Sequence, residues 1–356
     1  MATALVTVCR LGHDASLIGQ VSNDDIGQAI TDELRTEGVC VDFLDNDTRQ
    51  DSPQSFIIVL PRGERTILYH DGDLGSLRFP VQAIHLIEKA NALMLEQGYH
   101  ALQPARAAAD AAVPIICDID YLDDEVFALA QLNAILIAGE SVLDGPTCHT
   151  ALEAVDTLVR EGARAAIVTL GQRGAVGRDG SGIHHVVAYS EDIVDTTGAG
   201  DVYRGAFTVG LLEGMEFQNA MKFAAIVAGL KCRAHGRDGI PGRDEVGLRM
   251  SEGDLPGTKS QIAARPRCRK AVPHPKLGGS ELRILFLPAP SQPTGTTLGH
   301  PRCRADQPSS LPWQSSHSPT RFCPSPRHRL QIEAPCAPSE EPDLYCTVLR
   351  PGPTPV

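Results

Sequence analysis

Short segments rich in Ile, Val and Leu recur along the chain, at residues 16–21, 92–95, 113–118, 134–138 and 165–170. Each is the length of a strand, and a mostly apolar segment of that length suits a parallel strand covered on both faces. Between them lie stretches with helical spacing. Ala151, Leu152, Val155, Leu158 and Val159 form one apolar stripe that stops at Gly162, and Ile26, Ile30 and Leu34 form another closed by Gly38. Strand and helix in alternation predict an α/β chain whose parallel sheet is sandwiched by helices. Residues 56–60 and 65–69 differ, because they flank Pro61, Arg62, Gly63 and Glu64 and predict a β-hairpin, expected to serve as a lid or as a homodimer interface.

The pattern ends near Met250. Of the 26 prolines, 19 fall after that residue, among Ser, Arg and isolated Cys without any period. Such a segment buries too little apolar surface to offset its ordering entropy, so residues 1–248 are expected to form the folded domain and 249–356 a disordered Pro-rich tail. Removing the tail is accordingly expected to leave the stability of the body unchanged.

Charge follows the same division. The first 250 residues hold 36 acidic against 19 basic residues, while the tail holds 13 basic against 8 acidic. An acidic body disfavours nucleic-acid or anionic-membrane partners, which need clustered Lys and Arg. It leaves open a phosphate-bearing small molecule held by backbone groups. The ten cysteines form no CxxC pair and no His/Cys cluster at metal-ligand spacing, so isolated thiols in a reducing, cytoplasmic setting are expected. No run approaches the ~18 apolar residues of a membrane span.

The chemistry concentrates at Asp195-Thr196-Thr197-Gly198-Ala199-Gly200-Asp201-Val202-Tyr203-Arg204-Gly205-Ala206-Phe207. Gly198, Ala199 and Gly200 leave the backbone nearly bare just ahead of a stretch with helical spacing. Amide N–H groups backed by the positive end of a helix would then make an anion hole, and Asp201 beside it could accept the proton of an attacking hydroxyl. A tight turn followed by an N-cap would use the same residues.

The whole segment resembles the second signature of the PfkB (ribokinase-like) carbohydrate kinases, D-T-x-G-A-G-D-x-F-x-G-A-F, with Tyr203 in place of Phe. The resemblance implies that Asp201 is the catalytic base and that the main chain of Gly198, Ala199 and Gly200 stabilises the transferring γ-phosphoryl group. Thr169, Gly171 and Gly174, in Thr169-Leu170-Gly171-Gln172-Arg173-Gly174, are similar to the family's T-x-G-x-x-G nucleotide loop. Gly19-Gln20-Val21-Ser22-Asn23-Asp24-Asp25-Ile26-Gly27 is similar to its G-x-V-G-x-D-x-x-G and reads as a strand-to-helix turn. Residues 223–232 and 236–241 look most like the branch that holds ketohexokinase and sulfofructose kinase. There Ala225 and Gly229 would leave room for adenine, although close helix packing needs the same small residues, and Lys231 is either a ligand-side cation or a solvated helix-end lysine. Glu140 stands near the family's metal-linked N-x-x-E without its spacing.

The family's first strand and Gly-Gly-Asn motif have no counterpart ahead of Met1. The chain is therefore expected to be N-terminally truncated, with the apolar face of Ala4, Leu5, Val8 and Leu11 left uncovered. Taken together, the resemblance implies a three-layer αβα sandwich with a small hairpin lid. It implies an ATP- and Mg²⁺-dependent phosphotransferase acting on a primary hydroxyl of a fructose- or sulfofructose-like ketose. A truncated, non-catalytic isoform that binds nucleotide or a full-length subunit, and a nucleoside kinase, are the alternatives.

Overall fold

Alternate residues of the central strands face opposite ways, and here both faces are buried. Ile116, Ile135, Ile137 and Ile167 pack with Leu5, Val8, Phe207 and Phe223 on one side. Ile115, Cys117, Leu136 and Val168 pack with Leu86, Ala105, Leu129 and Leu158 on the other. That is why the strands read as continuous apolar runs rather than alternating ones. The computed structural model describes residues 2–47, 51–52, 54–59, 65–70, 79, 81–98, 101–189, 193–250, 283–287 and 345–347.

In chain order the elements are α1 (Ala2–Arg10), β1 (Asp14–Ser22), α2 (Asp25–Thr36), β2 (Cys40–Asp47), β3 (Gln54–Val59), β4 (Arg65–His70), α3 (Val81–Glu88), β5 (Ala92–Glu96), α4 (Leu102–Asp110), β6 (Ile115–Ile119), α5 (Asp124–Gln131), β7 (Ile135–Gly139), α6 (Ala151–Arg160) and β8 (Ala165–Thr169). There follow β9 (Ala175–Asp179), β10 (Gly182–Val186), α7 (Ala199–Leu212), α8 (Phe217–Lys231) and α9 (Arg243–Arg249), then β11 (Arg283–Leu287) and β12 (Tyr345–Thr347) from the tail. Helices α1, α7 and α8 cover one face of the sheet and α3 to α6 the other, which is the expected three-layer sandwich. Among the described helices none is long and apolar enough to cross a membrane.

The main sheet runs β10-β9-β8-β7-β6-β5-β11-β1-β2. From β8 to β2 every pairing is parallel, but β9 is antiparallel to both β8 and β10, so the sheet is mixed rather than wholly parallel. The chain reverses first between β8 and β9 through residues 170–174, where the Leu170 N–H donates to the Gly174 carbonyl at 2.7 Å, and again between β9 and β10 through a tight hairpin at Gly180 and Ser181, where Asp179 Oδ1 accepts the Ser181 N–H at 2.9 Å. The expected lid hairpin forms as β3 and β4, in register from Gln54 opposite His70 to Val59 opposite Arg65, and β12 pairs with β3 on its outer side. Its connection, residues 60–64, lies outside the described residues. The turn from β1 to α2 is structural, as its sequence suggests: Asp24 caps the helix by accepting the Gly27 N–H at 2.7 Å, and a Cβ on Gly27 would lie 1.9 Å from the Ser22 carbonyl oxygen.

Two expectations need correction. The tail is not structureless throughout, because Arg283–Leu287 forms a strand in the middle of the main sheet. It pairs in parallel with β1 (Ser16 opposite Leu285) and with β5 (Leu285 opposite Leu93). Ile284-Leu285-Phe286-Leu287 is the longest uninterrupted apolar run after Met250, which is the pattern a doubly covered parallel strand requires. The rest of the tail, β12 aside, lies outside the described residues. Nor is the face of α1 uncovered, since Ala4, Leu5 and Val8 are fully buried and Leu11 is 1% exposed. Helix α1 packs on α7, where Gly205 permits an approach so close that a Cβ there would lie 2.4 Å from the Ala4 carbonyl oxygen.

Two outcomes follow from this packing. Leu285→Pro removes a ladder N–H between β1 and β5, and each buried backbone group left unpaired costs about 1–3 kcal/mol. Equilibrium urea unfolding of that variant, and of a chain ending at residue 254, is expected to show lower stability than the full chain. Identical curves would show that β11 contributes nothing. Gly205→Val forces α1 off α7, and overpacking of this kind costs about 1–3 kcal/mol or more, read as a lower thermal midpoint.

Candidate active site

The segment before α7 is tied down by its own first residue. Asp195 Oδ1 accepts the Thr197 N–H at 2.8 Å, and Oδ2 accepts the Gly236 N–H at 2.9 Å. The N–H groups of Val194 and Asp195 both reach the Cys232 carbonyl at the end of α8. Lys231 completes the clamp: its ammonium donates to the Asp195 carbonyl at 2.9 Å and stands 3.5 Å from Asp195 Oδ2. Lys231 is fully buried, so it is neither a solvated helix-end lysine nor exposed to a ligand. Burial opposes an ionised Asp195, yet the two backbone N–H donors, with Lys231, hold its carboxyl below the usual range.

Gly198 then takes the left-handed conformation, φ 75°, that caps α7. This is the glycine the turn demands, because other side chains strain at such a φ. The Ala199 N–H is spent on the Thr196 carbonyl at 3.1 Å, so the expected three-amide anion hole is reduced. Gly200 follows at the second helical position, where an N–H has no acceptor inside the helix, and the space where its Cβ would stand is open to 4 Å. The helix terminus thus presents positive polarity at an accessible point.

Asp201 sits in the same first turn. Arg204, one turn later on the same face, donates from Nη2 to Asp201 Oδ1 at 2.6 Å and pairs through Nη1 with Asp118 Oδ1. Asp118 lies near the carboxyl end of β6, so this ion pair fixes the start of α7 at the carboxyl edge of the sheet, where open α/β sheets bind ligands. Burial raises Asp118 to about 7 against the pull of Arg204. Asp201 behaves oppositely, since positive charge, first that of the chain's amino terminus and then that of Arg204, outweighs burial and holds its carboxyl at about 2. Arg204 and Asp118 escape a motif reading. Their signals are the i,i+3 spacing from Asp201 and a carboxylate closing an apolar strand.

The residues expected to form a nucleotide loop lie at the same edge. Thr169 ends β8, its hydroxyl donating to the Ala138 carbonyl at 3.1 Å, and Gly171 (φ 55°) stands in open space. Gly174 has a reason of its own to be glycine: φ is 86°, and a Cβ would lie 2.0 Å from the Val186 carbonyl oxygen. Glu140, just past β7, pairs with Arg173 of the loop, and among the described residues no group of three or more His, Cys, Asp or Glu can hold a metal. Ala225 and Gly229 have packing reasons to be small. Ala225 is a buried core residue, and a Cβ on Gly229 would meet the Tyr189 carbonyl oxygen at 2.2 Å, so close packing accounts for both.

Removing one partner of a buried ion pair costs about 3–5 kcal/mol. Lys231→Met is therefore expected to lower the thermal midpoint sharply and to loosen residues 194–198, measured by amide hydrogen exchange. Wild-type protection there would show that the clamp does not order the turn.

Residues 2–241 match the family profile described as pfkB family carbohydrate kinase. The ribokinase of Bacillus subtilis (strain 168) is 27% identical over 257 residues, covering 69% of this chain and 84% of that protein. The ketohexokinase of Mus musculus is 26% identical over 250 residues, covering 65% of this chain and 82% of that protein. Among solved structures, the Arabidopsis thaliana ribokinase complexed with ribose and ATP superposes with a TM-score of 0.64 at 22% identity, over 71% of this chain and 86% of that one, a likeness of fold. With two thirds of its length inside the family profile and the ribokinase-like sandwich around its signature segment, the chain belongs to the pfkB family of carbohydrate kinases.

Proposed function

We propose that this sugar kinase transfers the γ-phosphoryl group of ATP to a primary hydroxyl of a ketose-type sugar, fructose-like or sulfofructose-like, with Asp201 as the base. The observation that carries the proposal is the placement of Asp201: ionised, in the first turn of α7, directly after left-handed Gly198 and beside the open position at Gly200. Asp201 would take the hydroxyl proton as the oxygen attacks. The Gly200 N–H and the terminus of α7 would meet the charge on the phosphoryl group, and Thr169 and Gly171 would border the nucleotide. Positioning and charge stabilisation are most of what such a transfer asks of a protein.

The donor set suits magnesium that arrives on the nucleotide phosphates, which needs few protein ligands, better than a metal caged by side chains. Such an ion would neutralise phosphate charge, with Glu140 the carboxylate assigned to it. The ketose assignment is supported by the mouse ketohexokinase match and by residues 223–241. The Bacillus ribokinase match keeps ribose as the competitor.

A coupled ADP-release assay with fructose, sulfofructose, tagatose, ribose and adenosine separates these acceptors, with kcat/KM expected to be highest for a ketose. Preference for ribose or adenosine would overturn the assignment. Asp201→Asn is expected to lower kcat by about 10²–10⁴ while ATP affinity stays within a few-fold.

A further inference from the structure

The β3–β4 hairpin is tied to the body just before it begins. Asp24, at the turn into α2, accepts the Ser52 hydroxyl through Oδ1 at 2.7 Å and the Ser52 N–H through Oδ2 at 2.8 Å, and Ser52 is 1% exposed. Beyond this anchor β3 reads Gln54-Ser55-Phe56-Ile57-Ile58-Val59, with neither charge nor proline. A strand edge of that composition is a template for pairing with another chain unless something blunts it, whether a charged residue, a proline or a covering segment. β4 carries Arg65 and His70 at its two ends, whereas β3 has no such residue and is the strand that is covered. The cover is β12, antiparallel to β3, with Tyr345 opposite Val59, Cys346 opposite Ile58 and Thr347 opposite Ile57. It lies along the half of β3 remote from the Ser52 anchor.

We propose that β12 guards this edge: the outer side of β3 is a strand-docking surface that the chain fills with its own Tyr345–Thr347, and that takes the β3 edge of a second copy when β12 is withdrawn. The length of chain available favours the molecule's own strand over a neighbour's. Residues 288–344 join β11 to β12. A tether of that length, at up to about 3.3 Å for each residue, far exceeds the roughly 45 Å across a domain of about 250 residues. A tethered strand is held at an effective concentration approaching the millimolar range, well above that of a second chain in micromolar solution, so at equal contacts the pairing within one chain wins. Once opened, two β3 edges can pair antiparallel about a two-fold axis, the self-complementary arrangement that closes as a dimer.

Cys346 supplies a direct probe, because residues opposed in an antiparallel pair have Cα atoms about 4.5–5.5 Å apart, within reach of a disulfide. Ile58→Cys, oxidised in dilute solution, is expected to link positions 58 and 346 within one chain, read by peptide mass spectrometry and by a monomer band on a non-reducing gel. Ile57→Cys, one residue out of register and directed to the opposite face, is expected to link to Cys346 at several-fold lower yield. A linkage that joins two chains, equal yields from the two positions, or no linkage at either overturns the proposal. The second arm needs no added thiol. Backbone N–H groups alternate in direction along a strand, so Cys346→Pro combined with Thr347→Pro in the full chain removes whichever of the two faces β3. Sedimentation at micromolar concentration is expected to show a monomer for the unmodified chain and a mass at least doubled for the proline variant. A dimeric unmodified chain, or a proline variant that stays monomeric, would show that β12 guards nothing.

Discussion

A parallel sheet cannot be interrupted in its middle, because two facing strand edges would leave rows of buried N–H and C=O groups without partners. In this protein that requirement falls between β1 and β5, and it is met by β11 from far downstream. Each flanking strand uses its other edge for a further parallel neighbour, β2 beyond β1 and β6 beyond β5, so β11 joins what would otherwise be two separate blocks. The helix layers depend on the same continuity. Ala15 and Leu17 of β1 and Ala92 and Met94 of β5 belong to one buried cluster with α1, α7 and α8.

That cluster sets where the chemistry happens. Helix α7 is held between α1, through the close approach at Gly205, and α8, and its first turn is pinned to β6 by Arg204 and Asp118. The turn ahead of it is shaped by Asp195 and the buried Lys231. Ion pairs of this kind are costly to desolvate and specify geometry more than they stabilise. Here two of them flank the same five-residue turn, one upstream and one downstream, so the positive end of α7 faces the carboxyl edge of the sheet in a single orientation.

The arrangement also divides labour among the carboxylates. Asp195 is bound to backbone N–H groups and serves the turn. Asp201 is kept ionised at the helix terminus. Asp118, deeper beside β6, is the one brought near neutrality by burial. Three aspartates of ordinary intrinsic acidity thus acquire different roles from what surrounds each of them, the general route by which one fold tunes acid and base groups.

The sequence by itself determined the alternating strands and helices of the body, the β3–β4 hairpin and the segment around Gly198 and Asp201, because apolar period, turn residues and a contiguous signature are local properties of a chain. The five apolar runs become β1, β5, β6, β7 and β8 with ends shifted by two residues at most. Tertiary structure alone decided the rest. A four-residue apolar run in a Pro-rich tail becomes a central strand only because β1 and β5 offer it two edges, and the antiparallel β9 depends on chain reversals at residues 170–174 and at Gly180 and Ser181. Lys231 is a buried clamp rather than a solvated lysine because Asp195 reaches it from 36 residues away. Ala225 and Gly229 are small because buried neighbours and the Tyr189 backbone already occupy the space. Arg204 gains its meaning from Asp118, a partner on another element, and such long-range pairing leaves no periodic trace in a sequence.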